Sequence, residues 1–364
     1  MNSPLPKEQK VAPLSETMVS AVQPGERAPA CYGMTDERAF YSFEEQYGRP
    51  VVLILADANA GPNLPVVIGE FIARLHLFAV RDADVLLVVN DNPSGLWPGG
   101  HALIRTVDCG RFLDRCGVGA REALLLVLDR NLRVALRFRP GDRADSVATC
   151  LDCLDELPHE APREVSQPAP AIILPNLLSR EVCQSLIRQF ESGPTIDGEV
   201  ARIDAAGIAR SVVDHKKKHR RDMQLSLYDG QHLHLQHLLL GRCAPEIAKA
   251  FQVTVSHTDR ILVSRYDEAA GWFRRHRDNT ADNVAFRQFA LSVNLNTEEY
   301  AGGHLLFPEY NDHHYSPPTG GGLIFSTAVL HEAAPVTSGR RYVLLTFFHS
   351  DAAEARRQAA LAPI

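Results

Sequence analysis

No stretch of the 364-residue chain holds the roughly 18 consecutive apolar residues that a membrane-crossing helix needs, so no membrane partner is expected. The first 23 residues, MNSPLPKEQKVAPLSETMVSAVQ, lack the apolar centre of a secretory signal; they read as a polar disordered tail, and the expected compartment is cytoplasmic. An excess of basic charge is missing as well. The 38 Lys and Arg stand against 44 Asp and Glu, a formal net charge of −6, which argues against nucleic acid as a partner. Cysteine is too sparse for a disulfide framework: seven, an odd number, are scattered through the chain and read as reduced thiols. Lysine is scarcer still. Three of the six lie together in HKKKHRR (215–221), which reads as a solvated loop or as a patch that meets an acidic substrate or partner. What remains is an ordinary globular balance, 45% hydrophobic and 23% charged, in a chain long enough for two cores.

Residues 24–157 alternate short apolar runs, PVVLILAD (50–57) and DVLLVV (84–89), with a helical run, LPVVIGEFIARLHLF (64–78). Runs of that kind mark buried, partly parallel strands in an α/β layer. ALLLVLDRNLRVALRF (123–138) is interrupted by Asp129, Arg130 and Asn131, a turn, so it predicts a hairpin. Residues 158–170 crowd four prolines with charges, the composition of a linker. The second domain, 171–364, opens with a helix over 177–192 capped by Ser179, and QHLHLQHLLLGRCAPEIAKAF (231–251) predicts another. After Val253 the period changes to two in RILVSRY, FALSVNLN, GGHLLFPEY, GGLIFS and RRYVLLTFF, a β-rich half with packed sheets or a barrel.

The chemistry concentrates in that β-rich half. In WFRRHRDN, His276 and Asp278 stand two positions apart, on one side of a strand end, and His331 follows in VLHEAAPV. Two imidazoles and one carboxylate offer three ligands on one face of an octahedral ion, the set used by non-haem Fe(II) oxygenases. Arg341 lies ten residues further on, sharing a strand face with Val343, Leu345 and Phe347. A guanidinium at the end of an apolar wall calls for an anion, and a carboxylate suits its fork.

From about Ile261 to Phe348 the sequence resembles the Fe(II)- and 2-oxoglutarate-dependent dioxygenases, in particular the prolyl 4-hydroxylase-like branch. The resemblance is carried by Tyr266, Gly271, His276-x-Asp278 with Asn279, the GGHLLFPE stretch, His331-Glu332 with Pro335-Val336, and the turn from Gly339 to Arg341. It implies a double-stranded β-helix, or jelly roll, in an α+β domain. It implies Fe(II) on His276, Asp278 and His331, and the distal carboxylate of 2-oxoglutarate on Arg341, with ascorbate as reductant. Tyr266 would point into the pocket, although a strand tyrosine serves as well in a core. Several members place a tyrosine opposite the arginine where this chain has Asn294, whose amide can still donate to the co-substrate. The implied reaction is hydroxylation of an unactivated C–H bond, with succinate and CO2 as co-products. A prolyl residue in a peptide or protein is the leading substrate, with a free amino acid or other small molecule as the alternative. A reading of another class is a scaffold or oxygen-sensing protein with a vestigial iron site. His257, His304, His313 and His314 read as exposed loop residues rather than ligands.

PGERAPACYGMTDERAFYSFEEQYGRPVVLILAD resembles the opening of the peroxiredoxin and thioredoxin-like (redoxin) family, with Arg121 and Asp129 in a matching later hairpin. Working members carry a cysteine just after the central strand, where a helix N-terminus lowers its pKa. Here the stretch from Asp57 to Asn63 holds none, so peroxidase or disulfide exchange is not expected. Cys31 precedes the strand and reads as a small hydrophobe. Cys150 and Cys153 fall late in an amphipathic helix without a second pair for zinc, which reads as core packing. The redoxin-like domain is thus expected to be a non-catalytic scaffold for substrate, partner or homodimer contacts.

Overall fold

The structure, a computed structural model, describes residues 21–29, 31–35, 40–42, 48–57, 60, 63–89, 105–108, 110–158, 167–203, 209–226 and 230–361. Most of the tail expected at 1–23, and the middle of the linker expected at 158–170, lie outside the described residues. The chain forms two compact units, Met1–His159 and Glu160–Ile364.

In chain order the first unit runs β1 (Tyr32–Thr35), β2 (Phe40–Ser42), β3 (Val51–Ala56), α1 (Leu64–Ala73), α2 (Leu75–Ala79), β4 (Asp84–Val89) and β5 (Arg105–Asp108). It continues with α3 (Gly110–Cys116), β6 (Ala123–Leu128), β7 (Val134–Phe138) and α4 (Ser146–Glu156). The sheet order is β2-β1-β5-β4-β3-β6-β7, with β3, β4 and β5 parallel and the other pairings antiparallel. VVLILA is apolar throughout because both faces are covered. Val51, Leu53 and Leu55 enter one core while Val52, Ile54 and Ala56 enter another. The hairpin turn forms where expected, held by Asp129 Oδ1, which accepts from the backbone N–H of Asn131 (2.8 Å) and Arg133 (2.9 Å). The helical run expected over 64–78 is two helices, parted at Arg74. Cys150 is fully buried in α4, and burial pushes its thiol up to about 12 and that of Cys153 to about 11, so neither is a nucleophile.

The second unit begins with β8 (Ala171–Leu174), α5 (Arg180–Ser192), β9 (Ile196–Asp197), β10 (Glu199–Ile203), β11 (Ala209–Val213), β12 (Lys218–His219), β13 (Arg221–Gln224) and α6 (Gly230–Phe251). The strands that follow are β14 (His257–Thr258), β15 (Leu262–Asp267), β16 (Trp272–His276), β17 (Phe289–Asn294), β18 (Tyr300–Gly302) and β19 (Leu305–Phe307). β20 (Asn311–Tyr315), β21 (Gly322–Ser326), β22 (His331–Ala333), β23 (Val336–His349) and α7 (Asp351–Leu361) complete it.

Two sheets form the body of this unit. The larger runs β8-β21-β17-β23-β15-β13-β9, and the smaller runs β12-β16-β22-β19-β20, with every pairing antiparallel. Leu305, Phe307 and Ala333 of the smaller sheet share a core with Ala290, Leu323, Phe325 and Val343 of the larger, so the sheets pack face to face. The other face of the larger sheet is covered by α5 and α6. In α5 the capping hydroxyl of Ser179 accepts from Val182 N–H, and the spacing of Cys183, Leu186 and Phe190 lays one stripe into the core. Burial of a Leu or Phe in that stripe is worth about 1.5–3 kcal/mol.

Three expectations need correction. Arg341, expected at the end of its strand where the apolar wall begins, lies inside it, since β23 starts five residues earlier at Val336. His313 and His314 are exposed but belong to β20, and His257 to β14, because these polar segments find edge pairings. HKKKHRR is not wholly a solvated loop: Lys218 is buried in β12, where it pairs with Phe273 of β16, and Arg220 is buried just after it.

Candidate metal centre and its cavity

His276 and His331 are cross-strand partners in the antiparallel pairing of β16 with β22, which sets their rings side by side with centroids 4.2 Å apart. Asp278 lies just past the end of β16, its N–H donating to Thr327 O at 2.9 Å. Its carboxylate meets both imidazoles: Oδ1 is 3.4 Å from His276 Nε2, and Oδ2 is 3.4 Å from His331 Nε2. The structure therefore brings the three residues together, with one donor atom from each inside a span of 4.8 Å.

The tautomers follow from the second ring nitrogens. His276 Nδ1 faces Arg274 O at 2.7 Å and His331 Nδ1 faces Val329 O at 3.0 Å. A carbonyl can only accept, so both Nδ1 atoms carry a proton, and in the neutral ring each Nε2 is then the donor atom that faces Asp278. Burial pushes His331 down to about 4, which keeps it neutral, the form that binds a metal. Two imidazole nitrogens and one carboxylate, close enough to share an ion at ligand bonds of about 2.1 Å, fit a divalent metal.

A register shift between Phe273 and His276 explains a further feature of β16. Residues three apart on a regular strand face opposite ways, yet here the Phe273 ring stacks on His276 at 3.4 Å. Phe325 packs edge-on against His331 at 4.6 Å. The metal-binding edge of both rings is thus left open while the remainder is walled with aromatics.

These residues line a cavity of about 600 Å³ that also holds Tyr266 and Arg341. Arg341 is 3% exposed and pairs across the sheet with Tyr266, its guanidinium 5.2 Å from the centre of that ring. Its Nη2 donates to Asn294 Oδ1 at 3.2 Å, its Nε has no hydrogen-bond partner, and no carboxylate of the described residues pairs with it. A buried guanidinium so placed fits an incoming carboxylate. Gly303 supports this position: at φ +63°, a Cβ there would stand 2.8 Å from Arg341 Cδ. Gly271 is required for the same kind of reason, since its Cβ would meet Tyr266 Cβ at 2.6 Å.

Asn294 behaves differently from the expectation. It is buried but is not part of the cavity lining, and its amide nitrogen donates to Pro317 O at 2.9 Å. Its oxygen accepts from Arg341, so Asn294 steers the arginine.

Two lining residues escaped the sequence reading. Arg220 Nη1 donates to the Tyr266 hydroxyl at 2.8 Å, and Arg220 is paired with Asp222, Nε to Oδ1 at 2.8 Å, with Ser264 Oγ donating to the same carboxylate at 2.6 Å. Lys218 reaches the cavity beside them, and burial together with the Arg220 guanidinium pushes its amine down to about 7. Alternation across HKKKHRR, which puts Lys218 and Arg220 on one side, was the signal that could have found them.

Comparison with known proteins accords with this site. The chain is 24% identical over 179 residues to a PKHD-type hydroxylase of Paracoccus denitrificans, covering 47% of this chain and 74% of that protein. Among solved structures, a Trichoplax adhaerens prolyl hydroxylase in complex with a peptide fragment of the hypoxia inducible factor oxygen degradation domain matches at 17% identity. That match has a TM-score of 0.41 and covers 53% of this chain and 88% of that one. A Mycobacterium tuberculosis peroxidoxin matches at 14% identity and TM-score 0.34, over 38% of this chain and 99% of its own. No family model matches the sequence.

Proposed function

We propose that the second unit is an Fe(II)- and 2-oxoglutarate-dependent dioxygenase that hydroxylates an unactivated C–H bond, a prolyl residue in a peptide or protein being the leading substrate. The observation that carries the reading is the meeting of His276 Nε2 and His331 Nε2 with the two oxygens of Asp278 at 3.4 Å, in one cavity with a buried guanidinium that has no counter-ion among the described residues. His276, Asp278 and His331 would hold the iron. Iron, when bound, supplies the oxygen activation that couples conversion of 2-oxoglutarate to succinate and CO2 with hydroxylation, and ascorbate would keep it reduced.

The protein's own part is geometric and electrostatic. The backbone carbonyls of Arg274 and Val329 fix the two rings in their metal-binding tautomer. Arg341, steered by Asn294, binds the far carboxylate of the co-substrate, and the Tyr266 hydroxyl, which accepts from Arg220, keeps its own proton for donation into the cavity. Phe273 and Phe325 exclude water beside the metal ligands. We read the facing sheets as a double-stranded β-helix and residues 24–157 as a non-catalytic redoxin-like scaffold before a linker at 158–170. Its loop after β3 carries no thiol.

The test is succinate release from 2-oxoglutarate by Fe(II)-loaded protein given oxygen and ascorbate. Wild type is expected to turn over slowly even without substrate, a chelator to abolish turnover and added Fe(II) to restore it. His276→Ala should lose the metal, whereas Arg341→Ala should keep it and weaken 2-oxoglutarate by roughly 10- to 100-fold, the loss expected when a charge-assisted bidentate partner goes. Silence of the wild type together with failure to bind Fe(II) would overturn the reading.

A further inference from the structure

The cavity holds a cation that the proposed reaction does not use. Lys218 is 4% exposed, and among the described residues it has neither a carboxylate partner nor a side-chain hydrogen bond. Its Nζ rests 4.9 Å from the centre of the Phe273 ring, which also stacks on His276 at 3.4 Å and has the Arg220 guanidinium at 5.7 Å, so the amine lies one aromatic ring from a candidate metal ligand. Register fixes it there, since Lys218 is the cross-strand partner of Phe273. An unpaired ammonium at such depth is destabilising unless a partner arrives, and a cation–π contact compensates only in part.

The charges around it leave one vacancy. Arg220 is balanced by Asp222. In the dioxygenase reading, on which this inference rests, Arg341 and the metal with Asp278 are balanced once the dicarboxylate co-substrate is bound. Arg287 is balanced by Asp259 and Arg260 is exposed, so among the described buried cations of the lining Lys218 is the one left uncompensated. It also comes from the opposite wall: Arg341 projects from β23 of the larger sheet and Lys218 from β12 of the smaller, which carries the two histidines. A compact point charge, unlike the fork of an arginine, accepts a carboxylate from many directions.

We propose that Lys218 receives a carboxylate of the primary substrate, so that the enzyme acts on acidic substrates in preference to neutral ones. For a peptide this places an acidic side chain close to the residue hydroxylated, and for a small molecule it requires a free acid group.

The test is equilibrium binding to the full chain loaded with Mn(II) and saturating 2-oxoglutarate, without oxygen. The probes are two matched pairs: Ac-Ala-Pro-Glu-Ala-NH2 against its Gln counterpart, and N-acetylglutamate methylamide against N-acetylglutamine methylamide. Wild type should favour the acid of at least one pair about tenfold, Lys218→Met should abolish that preference, and Lys218→Arg should restore most of it, which separates charge from packing. Absence of any acidic preference in wild type, or a preference that survives Lys218→Met, overturns the proposal. So does a loss of 2-oxoglutarate affinity in Lys218→Met as large as that in Arg341→Met, because the lysine would then serve the co-substrate. If wild type binds no 2-oxoglutarate at all, the dioxygenase reading fails, while the difference between acid and amide still decides the role of Lys218.

Discussion

Gly303 shows how little tolerance surrounds the buried arginine of the cavity. A methyl group there would sit 2.8 Å from Arg341 Cδ and 3.1 Å from Val336, at a positive φ. Gly303→Ala is therefore expected to lose about 1–2 kcal/mol of stability through backbone strain and to weaken 2-oxoglutarate by roughly tenfold through a displaced guanidinium, read by urea unfolding and by titration calorimetry. The Arg220–Asp222 pair is a second sensitive point. Asp222→Asn would leave a buried guanidinium unbalanced beside Tyr266 and is expected to cost about 3–5 kcal/mol, seen as a lower urea midpoint. At this scale the sequence discloses some residues and hides others. His276, Asp278, His331 and Arg341 are legible because their types and spacing stand out, and the structure brings them to one cavity. Lys218 and Arg220 are not singled out, because the charged run reads as a solvated loop or a patch as a whole until β12 pairs with β16, more than 50 residues away.

At the scale of elements, α7 illustrates a helix held by charge. Its Glu354 accepts from Gln358 and Arg357 and pairs with the buried His349 Nε2 at 2.8 Å. Burial raises the carboxyl, but these partners prevail and bring it down to about 2. A depressed pKa stabilises the fold above the ordinary carboxylate value, and the contribution is lost as pH falls from about 4.5 toward 2. Glu354→Gln should therefore cost on the order of 3 kcal/mol at pH 6 and much less at pH 3, checked by denaturant unfolding at both values; an equal cost at both would exclude the mechanism. Elements with strong periodicity, such as β3, α5 and the β6–β7 hairpin, stand where the pattern puts them. Two-residue strands such as β12 and β14 carry no period and exist only through their partners.

For the molecule as a whole, the thiols report on both units. Cys31, Cys116, Cys150, Cys183 and Cys243 are buried and Cys153 is half-buried, all without a disulfide, and burial raises Cys150, Cys153 and Cys183 to about 11 or 12. Native protein at pH 8 should therefore show slow alkylation at these six, accelerating in denaturant; fast labelling of any of them at neutral pH would reopen a redox reading. The boundary between the two units was visible in the proline-rich composition of residues 158–170, where the chain divides between His159 and Glu160. How the sheets face each other was not, since that depends on contacts between them such as that of Phe307 with Phe325. The 14-residue β23 is the strand on which this arrangement closes. It pairs with β14, β15, β17 and β18, every one of them earlier in the chain. During synthesis those four strands leave the ribosome first and wait with bare edges and without the wall that carries Arg341. The vulnerable interval for edge-to-edge aggregation is thus set late in translation, and a nascent chain stalled before Val336 would be a client for chaperones, not a smaller working enzyme.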